Sequence, residues 1–231
     1  YDLYTDRDEN LWIGTYNGGV NLLANKRARF ATFSFPSASK QATGTNSVIS
    51  FAGNAREEIW AGLDGGGICK LSITDEELIP ITSIFPQIEL SSNVIASLYL
   101  DENRILWAGT FLNGLNRIDL ITGEVSIYRS DQPGNSGLQN NNIWDIVEDS
   151  EGRIWLATLG GGLHMFDRET ERFQQYLPEA FGSSLSGRNV RVVYLDSKDN
   201  LWIGTERGGL NKLLPDRKTF ISWTHKSGDE R

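Results

Sequence analysis

The chain has a single cysteine, Cys69, in 231 residues. One thiol cannot form an internal disulfide, so no disulfide framework holds this fold, and the redox compartment stays undecided. Histidine is nearly as scarce, with only His164 and His225. No His/Cys group stands at metal-ligand spacing, so a catalytic metal has no sequence support, and neither has a Ser/His/Asp triad. Basic charge is also short. With 22 Lys and Arg against 30 Asp and Glu, the formal charge is −8. That is a poor match for nucleic acid or an anionic membrane surface, both of which call for a basic face. No apolar run approaches the ~20 residues a membrane helix needs. No signal-peptide pattern opens the chain and no helical periodicity is found along it. Tyr1 to Tyr4 already reads as strand, as if the chain were excised from something longer.

What is present is core material and a repeat. Hydrophobic residues at 39% and aromatics at 10% are more than a disordered chain carries. One motif recurs five times: LWIGTYNGGVNLL from Leu11, IWAGLDGGGICKL from Ile59, LWAGTFLNGLNRI from Leu106, IWLATLGGGLHMF from Ile154 and LWIGTERGGLNKL from Leu201. Its tryptophans, Trp12, Trp60, Trp107, Trp155 and Trp202, are spaced 48, 47, 48 and 47 residues apart. A period this regular decides the architecture before any residue is asked about chemistry.

Each copy holds four short strand signals. A first strand leads to an Asp-rich turn, the Trp strand ends at a Gly pair or at Asn113-Gly114, a third strand follows, and a short aromatic strand closes the copy. At Asn113-Gly114 the asparagine is expected to take the left-handed backbone that the turn needs. In repeat two the fourth strand reads as Leu78–Phe85, with Pro80 suited to an edge strand. Four strands per ~47 residues match one blade of a β-propeller. The expected fold is therefore all-β, a β-propeller of four-stranded antiparallel blades, with five blades near 1–45, 46–91, 92–139, 140–186 and 187–231. Five blades can close as a ring or form an arc of a larger, for instance seven-bladed, propeller.

The repeated residues read as structure. A tryptophan in the second strand packs between blades, and its burial is worth up to about 4–6 kcal/mol. The Asp of each acidic turn (Asp6, Asp101, Asp149, Asp196) caps its own turn, so these carboxylates do not read as a calcium or glycosidase site. His164 and Cys69 share one column with Asn21, Asn116 and Asn211, which makes them single substitutions at a structural position. Ligand information must sit where the copies disagree. In up-and-down strand order the Gly-pair turns and the loops between blades emerge on one rim. There the candidate ligand-binding residues are Tyr16, Asn17, Asp64, Phe111, Asn113, Trp144, Arg188, Arg191, Glu206 and Arg207. Mixed aromatic, amide and charged groups around a mouth suit a polar ligand such as an oligosaccharide. No cofactor is expected.

The combined pattern, as in DSKDNLWIGTERGGLNKLLPD, DSEGRIWLATLGGGLHMFDRET and the Ser184–Val190 stretch SLSGRNV, resembles the two-component regulator propeller repeat over essentially the whole chain. Departures are local: Asn54–Glu58 replaces the acidic Gly turn, Leu63 replaces Thr, one Gly is missing in repeat three, and Ala157 replaces Gly. The resemblance implies the periplasmic sensor region of a hybrid two-component histidine kinase, as in gut Bacteroidetes. There, two seven-bladed propellers and a β-sandwich precede one membrane helix, a kinase core, a receiver and a DNA-binding domain. Such sensors recognise glycan breakdown products and switch on polysaccharide-utilisation genes. On this reading the segment is not itself an enzyme. Its partners are the ligand, neighbouring blades or domains of the parent protein, and a second copy in a homodimer. The alternatives are a stand-alone propeller lyase or glycosidase, for which a streptogramin-type lyase would show histidines at the channel mouth, and a pure protein-interaction scaffold.

Overall fold

The computed structural model of the chain describes residues 2–15, 19–23, 30–33, 47–53, 58–131, 137–180 and 182–224. These form five four-stranded antiparallel sheets, each a meander with its strands in sequence order. The first is β1 (Leu3–Thr5), β2 (Leu11–Thr15), β3 (Gly19–Leu23) and β4 (Phe30–Phe33), and the second is β5 (Val48–Gly53), β6 (Ile59–Leu63), β7 (Gly67–Ser72) and β8 (Glu77–Pro80). After the one-turn helix α1 (Ile81–Ile84), the third sheet is β9 (Ile95–Leu100), β10 (Ile105–Thr110), β11 (Leu115–Asp119) and β12 (Val125–Tyr128). The fourth is β13 (Ile143–Glu148), β14 (Ile154–Thr158), β15 (Gly162–Asp167) and β16 (Arg172–Tyr176). The fifth is β17 (Val190–Leu195), β18 (Leu201–Thr205), β19 (Gly209–Leu213) and β20 (Phe220–Trp223). The chain divides into two compact units, Tyr1–Ile127 and Tyr128–Arg231.

Within each unit, neighbouring sheets pack face to face through the repeat columns. In the first unit, Trp12, Val20 and Phe33 of sheet one share a core with Val48 and Phe51 of sheet two. Trp60 and Ile68 of sheet two share another with Ile95, Leu98 and Leu106 of sheet three. In the second unit Trp155, Leu163 and Tyr176 meet Val190, Val193, Leu201 and Ile203. Trp12, Trp60, Trp107 and Trp155 are all 2% exposed or less, the burial that a large apolar ring favours most. The last sheet differs. Leu210 is 42% exposed where Val20, Leu115 and Leu163 are fully buried, and Trp223 is 49% exposed, stacked on Trp202.

A polar bond crosses between sheets as well. The Asp2 carboxylate accepts the Phe51 N–H at 2.9 Å, and Asp145, at the matching position in sheet four, accepts the Val193 N–H at 2.9 Å. Each ties one first strand to the next and satisfies a backbone donor that the ladder leaves over.

The acidic turns show why tryptophan and aspartate occur together. Asp196 accepts the backbone N–H groups of Lys198 and Asn200, and also the Trp202 indole N–H at 3.0 Å. Asp6 with Trp12, Asp101 with Trp107 and Asp149 with Trp155 repeat the link at 2.9, 3.4 and 2.7 Å. The turn cap therefore also fixes the ring six residues on. Donation by Trp202 and Asn200 holds the Asp196 carboxyl well below the usual range. Burial pushes the Asp6 carboxyl up, and bonds from Asn10 and Trp12 overcome it. Repeat two has no aspartate at this position, and the buried Trp60 indole N–H has no hydrogen-bond partner among the described residues.

Two local expectations are corrected. The stretch Leu78–Phe85 is not one strand: β8 ends at Pro80, and Ile81–Ile84 makes a helical turn closed by the Phe85 N–H donating to the Ile81 carbonyl at 2.8 Å. Proline cannot donate to a ladder, and its fixed φ suits a helix start, so the strand stops there and Ile81, 1% exposed, turns into the core. In repeat three it is Leu112 (φ 69°), not Asn113, that takes the left-handed conformation, together with Gly114 (φ 81°).

Candidate functional site

The Gly-pair turns share a fixed frame. Asp64, Phe111, Leu159 and Glu206, each the residue after its second strand, donate their N–H to the carbonyls of Ser47, Val94, Asn142 and Asn189, each just before or at the start of its first strand. The turns and the loops that enter the sheets thus lie at one end of each sheet. The next residue is left-handed in every described case: Gly65, Leu112, Gly160 and Arg207. The threonine before the turn closes it. Thr110, Thr158 and Thr205 donate Oγ1–H to the carbonyls of Gly114, Gly162 and Gly209 at 2.7, 2.8 and 3.0 Å. Leu63 cannot make this bond.

A second device was not legible in the sequence. In four sheets the pairing of first and second strand slips by one residue, and Ile49, Ala96, Trp144 and Arg191 are passed over by the ladder. These are β-bulges, which re-aim a side chain at the rim of a sheet. The column reads Ile and Ala in the first unit, Trp and Arg in the second.

In the second unit the bulges bring predicted residues together. The Arg191 guanidinium lies over the Trp144 ring, 4.4 Å from its centroid. A cation this close to an indole face is held by the ring quadrupole. Glu206 Oε2 stands 3.8 Å from Arg191, a loose pair with both side chains near 40% exposed (42% and 39%). Arg188 is exposed, and its carbonyl accepts the N–H groups of Gly160 and Gly162 at 3.2 and 2.8 Å, which pins the loop to the neighbouring turn. Arg207 is exposed beside Glu206.

The remaining candidates fall apart from this group. In the first unit Asp64 bridges to Val94, and the Phe111 N–H donates to the same residue's carbonyl, so these two turns meet at one backbone residue. Phe111 is 42% exposed. Asn113 donates Nδ2–H to the Phe111 carbonyl at 3.3 Å, so its amide serves the turn, and the solvent-facing residue there is Leu112, 56% exposed, which sequence reasoning passed over. Tyr16, Asn17 and His225 lie outside the described residues.

The polar column of the third strand is a clamp. Asn116 accepts the Ser91 N–H and Asn211 the Ser186 N–H, both at 2.9 Å, so each secures the loop that enters its own sheet. His164 does the same through Nε2, which accepts the Gln139 N–H at 3.3 Å. It is fully buried, and burial pushes it down to about 4. Cys69 is also fully buried, with its thiol pushed up to about 12, which makes it a poor nucleophile. Among the described residues no three His, Cys, Asp or Glu side chains are grouped to hold a metal, and no helix is long and apolar enough to cross a membrane.

The family model described as the two component regulator propeller matches residues 1–17, 137–160 and 184–207. A histidine kinase of Formosa agariphila is 28% identical over 165 residues, 71% of this chain and 12% of that protein. Among solved structures, the extracellular domain assigned to a hybrid two component system of B. thetaiotaomicron superposes with a TM-score of 0.76 at 22% identity, over 95% of this chain and 29% of that one. Virginiamycin B lyase from Staphylococcus aureus superposes with a TM-score of 0.69 at 14% identity, over 97% of this chain and 69% of the lyase. The chain therefore spans about an eighth of the matched kinase and under a third of the matched extracellular domain, and at such identities the structures speak for the fold alone. Three stretches of the chain thus match the two component regulator propeller model, and the fold is an all-β propeller of four-stranded antiparallel blades.

Proposed function

We propose that this chain is an extracytoplasmic, periplasmic sensor segment of a hybrid two-component histidine kinase. It binds an oligosaccharide-type ligand at the rim of the Gly-pair turns and relays occupancy to the kinase, without catalysing a reaction itself. The observation that carries this reading is the bulge column: the same backbone device is filled by Ile49 and Ala96 in one unit but by Trp144 and Arg191 in the other, where they stack. The tryptophan column, which packs the sheets, keeps one residue type, and this column does not. A ring and a polar fork projecting together at a sheet rim suit a ligand with apolar faces and polar edges, which describes a sugar. The described histidine, His164, is committed to a backbone N–H and shielded from solvent, so it offers no general base at this rim. The neighbouring blades of the parent protein and a second copy in a homodimer are the other partners of this reading.

Titration calorimetry against a panel of oligosaccharides, followed by mass spectrometry of the recovered sugars, tests it. Saturable binding that Trp144→Ala weakens, with the sugars recovered intact, is the expected result. Chain-length changes in the recovered sugars would point to the propeller-enzyme alternative, and no binding across the panel to the scaffold.

A further inference from the structure

We infer that the rim of the last sheet receives an anionic group, so that the ligand is an acidic oligosaccharide carrying a carboxylate or sulfate substituent. The inference rests on the sugar-binding reading above and sharpens it. Three features carry it. First, the guanidinium of Arg191 already covers the Trp144 ring at 4.4 Å, so what meets a ligand there is the fork as well as the indole. A guanidinium over an aromatic face still has N–H groups to donate, and its planar fork can grip two oxygens of a carboxylate or sulfate at once. Second, the acidic group nearest that fork is a weak occupant. Glu206 stands at 3.8 Å and is 39% exposed, so a ligand oxyanion can displace it at small cost.

Third, the positive charge is local. Arg188 and Arg207 are exposed at the same end of the sheet, and neither has an acidic partner among the described residues. The carboxylate of Asp145, beside Trp144, accepts the backbone N–H groups of Ile146 and Val193. In a chain of formal charge −8, three arginines at one end of the sheet, set against Glu206 and Asp145, leave a local excess of positive charge that attracts anions.

The test is calorimetry with three probes of equal length: an oligogalacturonate, a sulfated neutral oligosaccharide and its unsulfated parent. The expected result is that one or both anionic probes bind at least tenfold more tightly than the neutral one. Arg191→Ala, and Arg191→Lys nearly as much, should abolish that preference, while Glu206→Gln should tighten anionic binding. Thermal melts of the variants guard against misfolding, and Glu206→Gln provides a gain that misfolding cannot produce. The carboxylate and the sulfate arms tell the two sources of anion apart. Equal affinity for neutral and anionic probes, untouched by Arg191→Ala, would overturn the inference and leave the sugar-binding reading standing. Failure of all three probes to bind would remove both.

Discussion

Replacing His164 by asparagine, the residue that Asn21, Asn116 and Asn211 supply at that position, should make the protein more resistant to acid. The neutral imidazole accepts the Gln139 N–H through Nε2, has no solvent exposure, and its Nδ1 has no hydrogen-bond partner among the described residues. Its cross-strand neighbours are Leu156 and Gln175, and the Phe173 ring meets it edge-on, so none of these offers a charge to the imidazolium. Burial accordingly holds the group down at about 4 in the fold, against about 6.5 in an unfolded chain. Between those values the unfolded state takes up a proton that the folded state refuses. The stability contributed by neutral His164 is therefore complete above about pH 6.5 and declines as pH falls towards 4. Linkage puts the loss at about 2 kcal/mol by pH 5 and about 3 kcal/mol by pH 4. Asparagine accepts the same N–H without titrating. Urea titrations of wild type and His164→Asn, followed by tryptophan fluorescence at pH 7.5 and pH 5, measure the effect as a difference of differences. Smaller side-chain volume in the variant cancels out of that comparison. The reasoning predicts that the variant's pH dependence is shallower by about 2 kcal/mol. Parallel pH dependence in the two proteins would refute it.

Other perturbations follow from the same geometry. Trp155→Ala removes a fully buried ring and the 2.7 Å bond to Asp149, and should cost about 3–5 kcal/mol in a chemical melt. Thr158→Val deletes the hydroxyl that closes the Gly-pair turn, with an expected loss of about 1 kcal/mol; a neutral result would show that the turn closes without it. Gly162→Ala and Gly65→Ala form an informative pair. Both positions have positive φ, but a Cβ at Gly162 would run into the Tyr176 carbonyl oxygen, whereas at Gly65 it meets nothing within 4 Å. The first should therefore lower the melting temperature far more than the second, whose cost is limited to about 1 kcal/mol of backbone strain.

The fold was legible because its determinants are local and repeated. Tryptophans at a regular spacing, Asp-rich turns and Gly pairs each dictate one feature, and five copies remove the ambiguity that any single short strand carries. What escaped depends on pairing between residues far apart in sequence or on register. The aspartate of each acidic turn was readable as a cap, but its bond to the indole six residues on shows only once the strand is in place. The bulge at Trp144 and Arg191 has no sequence signature, since it is a slip between two strands rather than a property of either. It nevertheless decides what the rim presents. Residues chosen because the copies disagree include Trp144, Arg191 and Glu206, which do converge, and also Asn113, whose amide is spent on its own turn. Leu112 was missed because an apolar residue at a turn tip carries no polar signal, although it is more exposed than Phe111 beside it.

The most direct measurement is a paired titration of the whole chain and its Arg191→Ala variant with an oligosaccharide that binds, with melting curves recorded on both. If shared columns build the fold and divergent rim positions bind the ligand, Arg191→Ala should lose affinity tenfold or more, melt within a degree or two of wild type, and return the sugar unaltered. Unchanged affinity with a large drop in melting temperature would contradict that division, because it would place Arg191 among the residues that hold the sheets together.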